Sequence, residues 1–566
     1  MHAFADRLAR STLNRHLYFA ALTLFTVSFI GYHFGTFDQV THIPFLKKYA
    51  DLSLFPNDQF LELSAQHYSY FWFLLQPFYR MGVLEIAMFM AHLLATYASF
   101  WALWTLSDTL FHNPLTNLLG TLAFIIPHVG YGGWIVFEFS LLNRTFVFPF
   151  LVGAVILFLR QRYLAAFAVL GVMYNLHVIS VNFVLGMFLF NGVLEWKRIG
   201  IRNLALGLLL FAIAALPVVL WKLSGPPTNF SLRPDWLSLV AMSSHANLFY
   251  LISSSPMILL ATASGTGVLA LFFIARQDAP APEYDRTVTN FVYALILVLL
   301  AQIVTSQWLP IVIVIESQII RAGLFTLVFA YLYFANYLAR QYASSEPATF
   351  DLHLLTGVTI FSIVGFIPPL VWAAQRWFSA RRALKWAAAI GLGVGVSLGA
   401  YVFAALVGLW YPGIYIFPHP TPWYAAQVWA RDHTPKDAVF ITPPNEWWVY
   451  ESDWRVFSER STVVCYSDLL EASVVLEYVD VWKTRFDAIA PGAIRRFQGN
   501  VVENIQIAGA SYSQLSDEDL MRVAKQYGAT YVVVEKSRPH QWKPVYENAK
   551  FVIYQLPPPS VSLTVR

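Results

Sequence analysis

Charge is what this chain has least of. Asp, Glu, Lys and Arg make up 12% of its 566 residues, about half the share of a soluble globular domain. With 57% hydrophobic residues and a mean hydropathy of +0.53, this excludes an ordinary soluble protein and implies many membrane spans. Cysteine occurs once, at Cys465, so an intrachain disulfide is excluded. In the run STVVCY that thiol reads as a small buried hydrophobe. His33, His42, His92 and His128 fall at no metal-ligand spacing. The net charge of +4 is too small and dispersed for a nucleic-acid partner.

Aromatic residues are abundant, at 17%, which suits helix ends at a membrane interface. The N-terminus places Arg7, Arg10 and Arg15 before the apolar run Leu17 to Ile30. No small-residue cleavage site follows, so this reads as a retained signal-anchor with its arginines on the cytoplasmic side. Further apolar runs predict a bundle of roughly a dozen spans. Leu164 to Leu194 lies between two basic patches, Arg160/Arg162 and Lys197/Arg198/Arg202. It is expected to go out and return as two short helices meeting at Asn175-Leu176-His177. Leu352 to Ala374 is expected to form a second hairpin, turning at Pro368-Pro369, and Gln59 to Tyr79 an interfacial helix broken at Gln76-Pro77.

From about Pro418 charge and proline rise, and strand-like runs alternate with helix-like ones. Ser516 with Asp519 is a near capping box opening one of those helices. This part has neither a Gly-rich phosphate loop nor a nucleophile elbow. The expected fold is an α-helical polytopic membrane protein, residues 1–417, followed by an extracytoplasmic α/β domain, residues 418–566. The expected location is the plasma (inner) membrane.

The first outer loop, within residues 31–80, is the expected working surface. It begins GYHFGTFDQVTHIPFLKKYADLSLFPNDQF and places Asp38, Asp51 and Asp58 just beyond the first apolar run. A carboxylate held at a lipid–water boundary is costly unless it is paired or used. Asp38 reads as a general base whose pKa partial desolvation would raise, or as a partner of Lys47 or Lys48. Asp58 reads as an N-cap or as an acceptor-binding group. Arg144 and Arg321 sit at the outer ends of apolar runs, as phosphate ligands or snorkelling cations. His177 reads as a core histidine or a ligand. Gln318 shares a helix face with Arg321, and Glu316 could neutralise it.

These residues resemble the pattern of the GT-C superfamily, membrane glycosyltransferases that take sugars from polyprenyl-phosphate carriers. The matching pieces are Asp38 in TFDQVTHIPFLKKYADLSLFPND, Asn143-Arg144, Asn175-Leu176-His177 and Gln318-Ile319-Ile320-Arg321. The resemblance implies a GT-C-like bundle with Asp38 as catalytic base. It implies substrate binding by Arg144, His177, Gln318 and Arg321, and the reading of the residues themselves adds Asp58 and Glu316 to the substrate-binding candidates. The implied partners are a polyprenyl-phosphate-linked sugar donor, the lipid bilayer, and a glycan, lipid or protein acceptor. Asp38 is followed by Gln39 rather than by the superfamily's commoner second acid. No metal-binding residue is assigned, and a divalent metal has no clear motif behind it. A transporter or flippase of lipid-linked intermediates and a non-catalytic scaffold are the competing readings. The first would favour internal repeats and charge at the midplane.

Overall fold

Uninterrupted apolar runs form long helices in the computed structural model. It describes residues 1–233, 256–344, 349–378, 381–406, 410–446, 451–472, 475–497 and 501–557. Among the described residues six helices are long and apolar enough to cross a membrane: Leu84–Phe111, Ile201–Ser224, Leu259–Asp278, Asp285–Ser306, Ile319–Ser344 and Arg382–Ala405. Four shorter apolar helices accompany them, Asn143–Leu159, Tyr163–Tyr174, Val178–Leu194 and Phe350–Phe361. Of the expected dozen or so spans, six are thus shown as helices of spanning length among the described residues, and the shorter helices fall below it. A helix of 12 residues reaches only about 18 Å, well short of a bilayer core of about 30 Å. The first apolar run lies in the helix Thr12–Ile30, whose opening turns carry Asn14, Arg15 and His16.

The segment between the two basic patches is two helices, Tyr163–Tyr174 and Val178–Leu194, joined at Asn175-Leu176-His177. Asn175 repairs a neighbour. Pro217 lies inside the Ile201–Ser224 helix, where it removes a donor and disturbs the backbone ladder. The Asn175 amide donates to the Ala214 carbonyl at 2.8 Å and accepts from the Val218 N–H at 3.1 Å, spanning that gap.

Two proline positions differ from expectation. Pro77 sits inside the helix Phe71–Arg80, and the break falls earlier, at His67–Tyr70. Tertiary bonds hold it there: Tyr70 N–H donates to the Asn175 carbonyl (2.9 Å) and Ser69 Oγ to the Leu176 carbonyl (2.6 Å). Pro368 and Pro369 occupy the first turn of the helix Ile367–Trp377, where a missing N–H costs nothing. The chain reverses before them, between Ser362 and Phe366.

The C-terminal part holds a five-stranded sheet of order β4-β3-β5-β7-β6. Its strands are β3 (Val439–Ile441), β4 (Ser461–Thr462), β5 (Tyr531–Glu535), β6 (Pro544–Glu547) and β7 (Phe551–Gln555). β3 runs parallel to β4 and β5, while β7 is antiparallel to β5 and β6. The expected strand STVVCY shortens to β4, and the Cys465 N–H turns away to the Asp468 carboxylate at 3.0 Å. Ser516 and Asp519 form the full reciprocal capping box of the helix Asp517–Tyr527.

The first loop is part of this second body. β1 (Tyr32–His33) pairs in parallel with β2 (Ile414–Tyr415), just ahead of the sheet. One apolar core contains Phe45, Phe60 and Trp72 of the loop together with Val439, Tyr478 and Trp482. Each such side chain, fully buried, contributes about 1.5–3 kcal/mol. The Lys47 ammonium donates to the Val456 carbonyl (2.7 Å) and to Glu459 (2.8 Å). The change of composition near residue 418 therefore marks no edge of packing.

Candidate functional site

Asp38 stands at the N-terminus of the helix Gln39–Ala50, yet its side chain makes no capping bond. The residue before it, Phe37, has φ of 49°, a left-handed conformation that strains a bulky side chain by about 1–3 kcal/mol. Its ring packs on Phe139 with centroids 4.3 Å apart. Gln39 fixes the local path. Its carboxamide oxygen accepts from the Gly35 N–H and its amide donates to the Leu141 carbonyl, both at 2.8 Å. His33 N–H donates to the Phe139 carbonyl at 2.8 Å. The first loop is thereby stitched to the second, residues 131–142.

The second loop supplies the partners. Arg144, in the first turn of the helix Asn143–Leu159, reaches Asp38 Oδ2 at 2.7 Å. It also grips Glu138 with two bonds of 2.6 Å. Arg321 comes from a different part of the chain, the 3-10 turn Ile319–Ala322. Its guanidinium lies 3.8 Å above the Trp134 ring, and that of Arg144 lies 5.2 Å from the same ring. Arg321 Nε is buried and has no hydrogen-bond partner among the described residues. A cleft of about 480 Å³, counted to its open mouth, is lined by Trp134, Glu138, Arg144, Ser180 and Arg321.

Two expectations about Asp38 are corrected. Its ion-pair partner is Arg144, while Lys47 pairs with Glu459 and Lys48 with Glu62. Burial does push its carboxyl upward, but the charges of Arg144 and Arg321 outweigh it, so Asp38 is held below the usual carboxylate range. Glu471, on the short helix Asp468–Ala472, behaves oppositely. Burial first, and then the negative charge of Asp38, raise its pKa to about 7.

The other sequence candidates divide. His177 caps the helix Val178–Leu194, its Nδ1 accepting from the Ser180 N–H at 3.2 Å. A neutral ring then carries its proton on Nε2 as a donor. It lies within electrostatic reach of Arg144 and Arg321. Gln318 is buried in a left-handed conformation (φ 46°) and accepts the Arg321 N–H on its backbone carbonyl, which sets the turn carrying that guanidinium. Glu316 ends the preceding helix, Val312–Glu316. Asp38 and Glu138 both act electrostatically on Arg321.

Asp58 is elsewhere. It caps the next helix through the Phe60 N–H (3.1 Å) and accepts from Arg455 Nε at 2.7 Å and from the Thr462 N–H at 3.1 Å. Arg455 also holds Asp468 with two bonds of 2.7 and 3.1 Å. Its side chain is only 1% exposed, so these are fully desolvated charges.

Neither cluster of acids suits a divalent metal. Arg144 joins the Asp38 and Glu138 carboxylates, and the Gln39 side chain is spent on the backbone. Asp453, Cys465 and Asp468 lie close enough together to share an ion. Arg455, however, is bonded to Asp468, and burial pushes the Cys465 thiol well up, away from the thiolate a metal needs.

Sequence reading missed Trp134, Glu138 and Glu471. The signal for the first two was available in YGGWIVFEFSLLNR, where one acid interrupts an apolar outer loop next to Arg144. Glu471 had no such signal, because only the folded C-terminal part brings it toward Asp38.

A family model described as a domain of unknown function (DUF6798) matches residues 421–489, from the first helix of the C-terminal part to the end of the helix Leu476–Ile489, a range that includes Glu471. No curated protein matches the chain.

Proposed function

We propose that the protein is an integral membrane glycosyltransferase that moves a sugar from a polyprenyl phosphate to an acceptor hydroxyl. The reaction would occur at the outer, extracytoplasmic end of the bundle. The observation that carries this reading is Arg321: a half-buried guanidinium stacked on Trp134, its buried Nε without a hydrogen-bond partner among the described residues, beside the Asp38–Arg144–Glu138 chain. Among the described residues no acid forms an ion pair with Arg321, and a guanidinium so placed beside a cleft suits a phosphate.

The chemistry follows from the charges. The acceptor oxygen attacks the anomeric carbon as the bond from that carbon to the phosphate oxygen breaks, with inversion. The electron pair leaves on the phosphate, where Arg321 and Arg144 stabilise it. The acceptor proton passes to Asp38. In the resting site Asp38 is a weak base, because Arg144 and Arg321 depress its pKa. An entering phosphate brings negative charge between those arginines and draws Arg144 toward itself, so donor binding raises the basicity of Asp38. Catalysis is thereby made conditional on the donor.

The test is transfer from a polyprenyl-phosphate sugar by the purified protein in lipid nanodiscs. Asp38→Asn is expected to lower transfer by about 10²–10⁴-fold while leaving donor binding intact. Full transfer activity in Asp38→Asn would remove Asp38 from the mechanism. Loss of transport without any glycosyl transfer would instead mark a flippase.

A further inference from the structure

A second cleft, of about 330 Å³, opens where the first loop meets the C-terminal part. That volume is counted to the open mouth, so a ligand here would lie across the cleft rather than enclosed within it. The loop contributes His33, Phe34 and Thr36; the opposite wall includes Tyr415, His419 and Tyr424. The lining is aromatic and ordered by stacking. Tyr415 lies 5.8 Å from Tyr411 at an interplanar angle of 16°, and 4.0 Å from the His419 ring. Tyr424 meets Phe457 edge to face at 5.1 Å.

Polar groups sit among these rings. Glu451 accepts from Thr421 Oγ1 at 2.9 Å, which leaves its second oxygen unused by that bond, and Ser452 lies beside it on the cleft wall. His419 Nε2 is buried without a hydrogen-bond partner among the described residues. An unsatisfied buried polar atom is costly, a cost that a bound hydroxyl would remove. No lysine or arginine is among the described residues lining this cleft, in contrast to the first cleft with its two arginines.

We propose that this cleft binds an uncharged saccharide, one flat C–H face laid against the aromatic wall that includes Tyr415 and its hydroxyl edge turned to Glu451 and His419. Aromatic faces with a few fixed polar groups favour a ligand that is apolar on one face and hydroxylated at its rim. The absence of cations disfavours phosphate or another anion. An extended peptide would need backbone partners along an open strand edge. Here β1 and β2 already pair with each other. The stretch from His33 to Phe37 connects this cleft to Asp38 along the chain, and we take the saccharide as the acceptor. That assignment as acceptor rests on the transfer reading, whereas saccharide binding does not.

The test uses the full-length protein in nanodiscs on a printed array of neutral mono- and oligosaccharides. Saturable binding to saccharides is expected. Tyr415→Ala and the near-isosteric Glu451→Gln should each weaken it at least about tenfold, the loss expected for one good contact. Thermal unfolding should show both variants folded, and Arg321→Ala should leave saccharide binding unchanged. The proposal is overturned if no saccharide binds, if both folded variants bind as well as the parent, if Arg321→Ala abolishes binding, or if an unglycosylated extended peptide displaces the saccharide. Saccharide binding without any transfer activity would sustain this site and defeat the transferase reading.

Discussion

Replacing Asp58 by asparagine separates two acids that look alike in sequence. The Asp58 carboxylate accepts three bonds, from Phe60 N–H, Thr462 N–H and Arg455 Nε. Both side chains of the Asp58–Arg455 pair are only 1% exposed, so water cannot compensate. Breaking one partner of a buried ion pair costs about 3–5 kcal/mol. The substituted amide would still offer one oxygen to the cap, and Arg455 would keep its two bonds to Asp468. The expected loss is therefore near the lower end, about 3 kcal/mol, or roughly 6–12 °C in Tm for a body of this size. The assay is thermal unfolding in nanodiscs at one fixed scan rate, with limited proteolysis of the first loop. Asp58→Asn should lower Tm and expose the loop, whereas Asp38→Asn, at a half-buried position without a capping bond, should lower Tm less and leave the loop protected. A Tm within about 2 °C of the parent and an unchanged cleavage pattern would refute the claim that this pair clamps the loop to the sheet.

Arg321→Ala should weaken binding of the lipid-phosphate donor by at least about tenfold, the worth of a charge-assisted contact, as measured by titration with the donor in nanodiscs; unchanged affinity would remove Arg321 from the site. Because the folded pKa of Asp38 is depressed, the carboxylate stays ionised until pH falls below its ordinary value. The acid limb of kcat/KM due to Asp38 should therefore lie below about pH 4, and that of kcat should move upward once the donor phosphate is bound. Glu471 has a raised folded pKa of about 7, so the native state binds more protons than the unfolded one and stability falls as pH rises toward that value. Glu471→Gln should raise Tm more at about pH 8 than at about pH 5, on either side of that pKa; an equal effect at both would refute the shift. A methyl added at Gly267 would overlap the Phe366 backbone, so Gly267→Ala should lower Tm by an amount corresponding to about 1–3 kcal/mol.

Much of the bundle was legible because its code is local. The apolar run in Leu84–Phe111, the tip at Asn175-Leu176-His177 and the capping box at Ser516 each depend on residues within a few turns of one another. Arg144 and Asp38, named separately from the sequence, lie 2.7 Å apart. The misreadings came from long-range contacts. Pro77 did not break its helix, because bonds from the distant Asn175 and Leu176 carbonyls fixed the break at His67–Tyr70 instead. The pKa of Asp38 moved the opposite way because two arginines from separate loops outweigh its burial. Asp58 finds its partner 397 residues away, and no periodicity carries that information.

The same 397-residue separation has a consequence for the order of synthesis. Translation at about 5–20 residues per second puts roughly 20–80 seconds between the emergence of Asp58 and that of Arg455. Throughout that interval the loop's Phe45, Phe60 and Trp72, which share a core with the C-terminal part, lack the partners that part supplies. β1 must likewise wait for β2 before its edge is paired. The nascent chain thus carries an adhesive, acid-bearing segment that must be held apart from its neighbours. The clamp on that loop closes only when Arg455 and β2 arrive, so a prematurely terminated chain would leave Asp58 and the β1 edge unpaired by them.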